Sequence, residues 1–369
     1  MLYNWQQSDW PDFIFDPSEM EDLLFAFAEA TGAISGTLHA VSEQIKVDTL
    51  IDTMVFEAIK TSEIEGEFLS REDVASSIRN NLGINKKPEL VKDKRAQGAA
   101  ELMVAARNSY SEALTEEVLF EWHKMLLKDS KTVNTGAWRK GNVPMQVVSG
   151  SIGKEKIHFE APPSSQVKSE MTKFIKWFND TAPGGKFEFK RAPVRSAIAH
   201  LYFESIHPFE DGNGRLGRVI AEKALSQTLR RPVMLSLSRK IEADKKRYYK
   251  SLETAQRSNN ITNWVNYFVR IIFDAQIEAK KLLDFTLYKT QFFDRFKNDF
   301  NERQLKVIKK MLKDGPEEFE GGMSAKKYMS IAKTSKATAT RDLQNLLETG
   351  ALIPAGGGRS TSYYLNFYP

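Results

Sequence analysis

Residues 206–218 read IHPFEDGNGRLGR, and the fold is decided by what these thirteen positions need around them. A tight turn needs one or two glycines, and a helix cap needs an Asp or Asn. Neither needs His207, Asp211, Gly212-Asn213-Gly214, Arg215 and Arg218 together. Upstream, Ala197, Leu201, Tyr202 and Ser205 recur at helical spacing. That helix must end near Ile206–His207, because the residue before a proline is pushed out of the helical region. His207 therefore stands at the mouth of a loop. The glycine pair lets successive backbone N–H groups point into one concavity. Directly afterwards RLGRVIAEKAL resumes a helix, whose N-terminal dipole and free N–H groups face the same place. Arg215 and Arg218 share one helical face and can both reach a polyphosphate. Asp211 is an oxygen ligand of the kind that holds Mg²⁺ beside phosphates, and a histidine of near-neutral pKa can take a proton from an incoming hydroxyl.

Working outward, the other segments are mainly helical in period. Leu50, Ile51, Met54, Val55, Ala58 and Ile59 form one apolar face over 48–65, and similar patterns run through 94–108, 115–128, 165–179, 192–205, 215–229 and 261–283. The stretch 143–159, VPMQVVSGSIGKEKIHF, breaks the pattern with two β-type runs around Ser149-Gly150-Ser151 and Ile152-Gly153. The last 69 residues carry 11 Lys/Arg and 7 Asp/Glu, +4 of the chain's +5. They follow the order helix, helix, helix, glycine hairpin, that of a winged helix, and the first 45 or so form a small extension with Trp5, Trp10, Phe13 and Phe15.

At 369 residues, with 41% hydrophobic and 27% charged side chains, the chain can bury a core of two or three domains. A net charge of +5 is too mild to make the whole chain a nucleic-acid binder. The absence of cysteine excludes disulfides and thiolate chemistry. MLYNWQQSDWPDF has neither a basic start nor an apolar run, and no stretch approaches a membrane span. A cytoplasmic protein without a membrane partner is expected. His39, His123 and His200 lack metal-ligand spacing and are read as structural.

The thirteen residues resemble the signature of the Fic family, H-x-F-x-(D/E)-G-N-G-R-x-x-R, at every specified position: His207, Phe209, Asp211, Gly212, Asn213, Gly214, Arg215 and Arg218. The resemblance spans roughly 50–280. It implies an all-α fold: a Fic helical core with a small β-hairpin flap, followed here by the C-terminal winged-helix domain. The expected segments are 1–45 for the extension, 46–285 for the core, with an inhibitory helix at 48–66 and a flap at 143–160, and 300–369 for the winged helix. The activity implied is transfer of AMP from ATP to a Ser, Thr or Tyr hydroxyl of a target protein, the chain itself included. By that likeness His207 is the general base, Asp211 holds Mg²⁺, the Gly212-Asn213-Gly214 backbone cradles the α- and β-phosphates, and Arg215 and Arg218 reach the β- and γ-phosphates. Ile157, His158, Phe159 and Glu160 belong to the flap that aligns the target by strand addition, and Gly136-x-x-Arg139 resembles an element supporting it. RYYKSLETAQ resembles the adenine-side segment, with Tyr248, Tyr249 and Gln256; many members have Asn where Gln256 stands.

TSEIEG, 61–66, resembles the family's inhibitory motif (S/T)-x-x-x-E-(G/N) through Thr61, Glu65 and Gly66. There the resemblance implies that Glu65 pairs with Arg218 and competes with the γ-phosphate, which also places Glu65 among the nucleotide-site residues. Glu65 is an acid at a helix C-terminus, where the dipole disfavours it and a cationic partner is wanted. Three other functions stay open: a relative that moves phosphate or another nucleotide, a catalytically dead relative, and a regulator that docks DNA through Lys336, Thr338, Thr340, Arg341 and Arg359. Winged helices dock proteins equally well, and the oligomeric state, a homodimer included, is left open.

Overall fold

In the computed structural model, residues 2–150, 156–296, 298–312, 321–357 and 361–367 are described. The turn Ser151-Ile152-Gly153 and Arg359 lie outside them. Helices dominate, and the only strands among the described residues form two antiparallel hairpins. Most helices begin where the sequence supplies a cap. Ser70, Asp93 and Thr115 accept backbone N–H groups at the starts of α3 (Arg71–Asn81), α4 (Lys94–Asn108) and α5 (Glu116–Leu126). Three helices carry the amphipathic patterns further than their periodicity suggests: α1 (Glu21–Ala40), α2 (Glu43–Ile64) and α11 (Thr262–Phe296). Gly32 and Gly36 hide α1 in the sequence, yet a side chain at either would meet open space, so they cost only helix propensity.

The chain divides into two compact units, one of Met1–Ala33 with Leu50–Ile277 and one of Ile34–Thr49 with Glu278–Pro369. This division differs from the segments expected at 1–45, 46–285 and 300–369, because α1, α2 and α11 each contribute residues to both units. In the first unit α6 (Ser164–Asp180), α7 (Ala192–Ile206) and α8 (Asn213–Thr228) surround the loop of interest. Every residue of α7 is buried, which is why its apolar residues follow no single stripe. Arg195, buried in α7, spends its guanidinium on Phe178 and Thr181 after α6 and on Ala224, Gln227 and Thr228 of α8. The three helices are thereby tied at one polar knot, between the first turn of α7 and the ends of α6 and α8.

α9 (Leu237–Ala243) and α10 (Lys245–Ala255) follow, and the first hairpin pairs β1 (Gln146–Ser149) with β2 (Lys156–Glu160). In the second unit α12 (Glu302–Met311), α13 (Ala325–Ala332), α14 (Lys336–Glu348), β3 (Leu352–Ala355) and β4 (Ser362–Leu365) run in the expected order. Their core joins Val307, Ile308, Tyr328, Leu343, Leu346 and Leu352 with Phe292 and Phe296. No helix of the described residues is long and apolar enough to cross a membrane.

Candidate active site

α7 stops one residue before its proline. His207 takes the left-handed conformation (φ 50°, ψ 61°), uncommon for a residue with a Cβ, and ends the helix. Phe209 then plunges into the core, fully buried and stacked on His123 at 4.0 Å between ring centres. Asn213 closes the loop: its Oδ1 accepts the Phe209 N–H and its Nδ2 donates to the Phe209 carbonyl, both at 2.9 Å. What Asn213 offers a ligand is therefore its backbone and not its amide. Gly212 caps α8 with φ 80°, which only glycine adopts freely. The N–H groups of the first turn of α8 have no partners inside the helix and point out of its end.

The His207 ring faces Glu204 one turn back, with its Nδ1 3.7 Å from the Glu204 carboxyl. Burial, reinforced by the Arg139 charge, pushes His207 down to about 4, so it is neutral at pH 7. Glu204 is fully buried beside it, and burial raises its carboxyl to about 8, so it too is uncharged. An ionised Glu204 would have stabilised the imidazolium and spoiled the base. Arg139 fixes the loop from outside: its guanidinium donates to the His207 carbonyl at 2.7 Å, the Pro162 carbonyl at 2.5 Å and Ser164 Oγ at 3.0 Å. The residue expected to support the hairpin thus also grips the histidine.

At the other side of the loop stands the end of α2. Gly66 has φ 83°, and the pair Glu67 N–H to Ser62 carbonyl (2.9 Å) and Gly66 N–H to Glu63 carbonyl (3.0 Å) closes the helix in a Schellman turn. The turn aims two acids at α8. Arg218, 1% exposed, donates to Thr61 Oγ1 at 2.8 Å, to the Thr61 carbonyl at 3.0 Å and to Glu65 Oε1 at 2.7 Å. Arg215, 3% exposed, donates to Glu67 Oε2 at 2.7 Å. Burial alone would raise the Glu65 carboxyl, but the charges of Arg218, Arg215 and Lys245 override it and hold it below the carboxylate range. A Cβ added to Gly214 would lie 2.3 Å from Glu65 Oε1. The carboxylate therefore sits against the first turn of α8, where an anion belongs.

These groups border one cleft of about 1000 Å³, with Glu65, His207, Asp211, Gly212, Asn213, Gly214 and Arg218 on its wall. Arg215 reaches this region through Glu67 and does not line the cleft itself. Asp211 is half exposed; its Oδ1 accepts the Gly212 N–H at 2.6 Å and its Oδ2 lies 3.8 Å from Arg215. Among the described residues no three His, Asp or Glu side chains gather into a metal cage. A divalent cation would rest on this one carboxylate and take its other oxygens from a phosphate ligand and water, as Mg²⁺ usually does. The residues present fit that ion.

Tyr248 and Gln256 border the cleft but are largely committed elsewhere. The Tyr248 hydroxyl meets His200 Nε2 at 2.7 Å in the core, and Gln256 Nε2 donates to the Glu204 carbonyl at 3.2 Å. Tyr249 is the exposed ring of the pair, its hydroxyl 3.5 Å from Glu65. In the hairpin Phe159 is buried and anchors β2, whereas Ile157 is 47% exposed. The His158 ring meets Ser149 Oγ at 2.6 Å and lies 3.7 Å from Glu253, so it fastens the hairpin to α10. Glu160 gives its side chain to Gln146 across the pair.

Three supporting residues escaped the sequence reading. Glu67 lies immediately after the motif that found Glu65 and carries no pattern of its own. Glu204 looks like an ordinary helical acid. His123 accepts the Gly136 N–H on Nδ1 at 2.9 Å, which leaves its Nε2–H to donate to the Asp211 carbonyl at 3.1 Å. It sits in an amphipathic helix, and only tertiary structure sets it beneath Asp211.

Comparison with known proteins bears directly on this loop, since residues 113–225 match the family model described as Fic/DOC family. The chain carries a Fic domain. Residues 3–84, which contain α1, α2 and the Schellman turn, match a second model described as a domain of unknown function, DUF4172. A "Protein adenylyltransferase Fic" of Culex quinquefasciatus is 28% identical over 178 residues, 48% of this chain and 30% of that protein. "Protein adenylyltransferase fic-1" of Caenorhabditis briggsae is 28% identical over 137 residues, 37% of this chain and 23% of that protein. This chain thus spans less than a third of the length of either relative. Among solved structures, a Fic family protein from Desulfovibrio desulfuricans G20 superposes with a TM-score of 0.57 at 19% identity, covering 96% of this chain and 98% of that one. At that identity the likeness concerns the fold.

Proposed function

We propose that the chain is a protein adenylyltransferase that moves AMP from ATP to a Ser, Thr or Tyr hydroxyl of a target protein. One observation carries the reading. A neutral histidine, a lone acid and the open first turn of α8 with Arg218 share one nucleotide-sized cleft. In that reaction the acceptor oxygen attacks the α-phosphorus while its proton passes to the His207 imidazole. The bond from the α-phosphorus to the bridging oxygen breaks, and pyrophosphate leaves. Bound Mg²⁺ would neutralise phosphate charge, and Asp211 would hold it. The backbone of Gly212, Asn213 and Gly214 would cradle phosphates, with Arg218 at the far end of the chain of charges. The adenine would lie toward Tyr248, Tyr249 and Gln256, and the target segment would align on the β1–β2 hairpin by strand addition. The Glu65 carboxylate occupies the end of this track, so the chain holds itself in check.

Incubation with ATP labelled at the α- or at the γ-phosphate tests the reading. Transfer of the α-label to protein is expected; transfer of the γ-label alone would make the chain a kinase instead. The metal role has its own readout. Asp211→Asn keeps the size of the ligand and removes its charge, so half-maximal activity should need several-fold more Mg²⁺. An unchanged Mg²⁺ titration would remove Asp211 from the metal site.

A second reading concerns the second unit. Its helices and β3–β4 hairpin have winged-helix order, and the Asp342 carboxylate of α14 is turned inward. Asp342 is 7% exposed on its side chain, takes two bonds from Arg303 at 2.9 and 3.1 Å and one from Tyr328 at 3.0 Å. The exposed face of α14 then presents Lys336, Thr340, Arg341 and Gln344, donors suited to phosphates and base edges. A gel shift with duplex DNA at rising salt tests this. Binding that weakens steeply with salt, with a slope about one unit shallower for Arg341→Ala, is expected of DNA docking. No shift at low salt would leave the unit to a protein partner.

A further inference from the structure

The first described residues do more than extend the core. Asn4 is completely buried although polar. Its Nδ2 donates to Ser205 Oγ at 2.8 Å, two residues before His207 in the chain. Its backbone N–H donates to the Gln256 carbonyl at 2.9 Å, and its carbonyl accepts Asn259 Nδ2 at 3.4 Å. The residues on either side reach the hairpin. Trp5 Nε1 donates to the Glu160 carbonyl at 2.7 Å, at the end of β2. Tyr3 packs edge-on against the buried Phe159 ring at 5.0 Å, and the Arg257 guanidinium lies 3.9 Å above the Tyr3 ring. Arg257 in turn donates to the His158 carbonyl at 3.2 Å. The carbonyls of His158 and Glu160, two residues apart, both face away from β1.

A two-stranded hairpin is marginal by itself. This one carries exposed Val148 and Ile157 and has a register shift between Val147 and Val148. Something outside it must set its height above the cleft. β1 is joined to the body mainly through β2, so whatever holds β2 holds the flap.

We propose that Tyr3-Asn4-Trp5 is a positioning segment for the acceptor side of the active site. Asn4 locks it to the helix that ends in the base, and Trp5 and Tyr3 carry that position to β2. The distance between flap and His207 is then set by three consecutive residues lying some two hundred positions before the histidine. This gives the opening of the DUF4172 match a task in the reaction: it makes an acceptor hydroxyl arrive within reach of His207. The proposal rests on the reading of the hairpin as the target-docking flap. The Trp5 bond goes to the flap and not to the phosphate cradle or to Gln256, so ATP affinity should be indifferent to its loss.

The test uses the full chain and two matched substitutions. Trp5→Phe keeps the ring and deletes one indole N–H bond, to the flap. Trp10→Phe deletes the same kind of bond, which Trp10 Nε1 makes at 2.8 Å to Glu170 on α6, away from the hairpin. In Trp5→Phe, backbone amide exchange over 156–161 should accelerate about fivefold, the size of one lost neutral hydrogen bond. Self-labelling from α-labelled ATP, measured in a Glu65→Gly background, should slow by a similar factor, with the dissociation constant for ATP unchanged. Trp10→Phe should alter neither. Equal exchange at 156–161 in both variants and the parent would overturn the proposal, as would equal slowing of labelling by both. If the Glu65→Gly parent itself transfers no α-label, the transferase reading fails, and amide exchange alone decides whether the segment holds the flap.

Discussion

Glu65→Gly is expected to label itself and its targets with AMP at least roughly tenfold faster than the wild-type chain, a change of about 1.4 kcal/mol in the barrier. Arg218 at present gives its Nε and Nη2 to Thr61 and Glu65. A γ-phosphate needs the same guanidinium, and its charge is repelled by the carboxylate in the first turn of α8. Removing Glu65 frees the arginine and opens the cradle. It also leaves a fully buried cation with only Thr61, which destabilises the empty protein. ATP then replaces the missing anion, so the variant should melt lower than wild type without ligand and gain more from saturating ATP and Mg²⁺. Both readouts follow from one ion pair. Equal labelling at matched ATP and Mg²⁺ would make Glu65 an ordinary acid at the end of a helix. Glu67 should be intact in this experiment, because its bond holds Arg215 and not Arg218.

His207→Ala should lower transfer by about 10²–10⁴-fold, the usual worth of a positioned general base, and should silence the Glu65→Gly variant. ATP binding should survive, because the imidazole acts on the acceptor hydroxyl and not on the phosphates. Its loss would mean that the histidine serves the loop instead. The pH profile separates His207 from an ordinary histidine. A base works when unprotonated, and burial, then Arg139, depresses His207 from its ordinary 6.5 to about 4. The acid limb of kcat/KM in the activated variant should therefore fall near pH 4, with activity still full at pH 6. Stability has the same sign. The unfolded chain binds the proton near 6.5 and the folded chain only near 4, so the contribution is present above 6.5 and is lost as pH falls through that window. His207→Ala should melt with less dependence on pH between 7 and 4.5 than wild type, measured as the shift in Tm.

How much of this was legible beforehand differs residue by residue. The loop 206–218 announced itself because its needs are local: a proline that stops α7, a left-handed glycine, an amide able to bridge four residues, and arginines one helical turn apart. Such constraints act within a few residues and leave their mark in a string of letters. Glu65 was legible through its unfavourable place at a helix C-terminus, and Gly66 through the turn it permits. The hairpin showed as a change of period, and the caps of most helices could be read directly.

The rest depended on which surfaces meet. Neither Glu67 nor Glu204 has a local signature, yet one binds a buried arginine and the other stays neutral beside the base because α7 is buried all round. His123 is one helical residue among many until Gly136 and Asp211 close on its two nitrogens. Asp342 is one polar residue of α14 with no local signature, and only Arg303 and Tyr328 turn it into an internal group. Asn4 and Trp5 lie in a stretch without periodicity, and their partners are more than 150 residues away in the chain. Sequence determines what the backbone within a turn or two must do, because steric and capping forces act at that range. Which charge is neutralised, which tautomer is held and which strand is fixed in place are decided by burial and by partners distant in the chain, and those exist only in the folded structure.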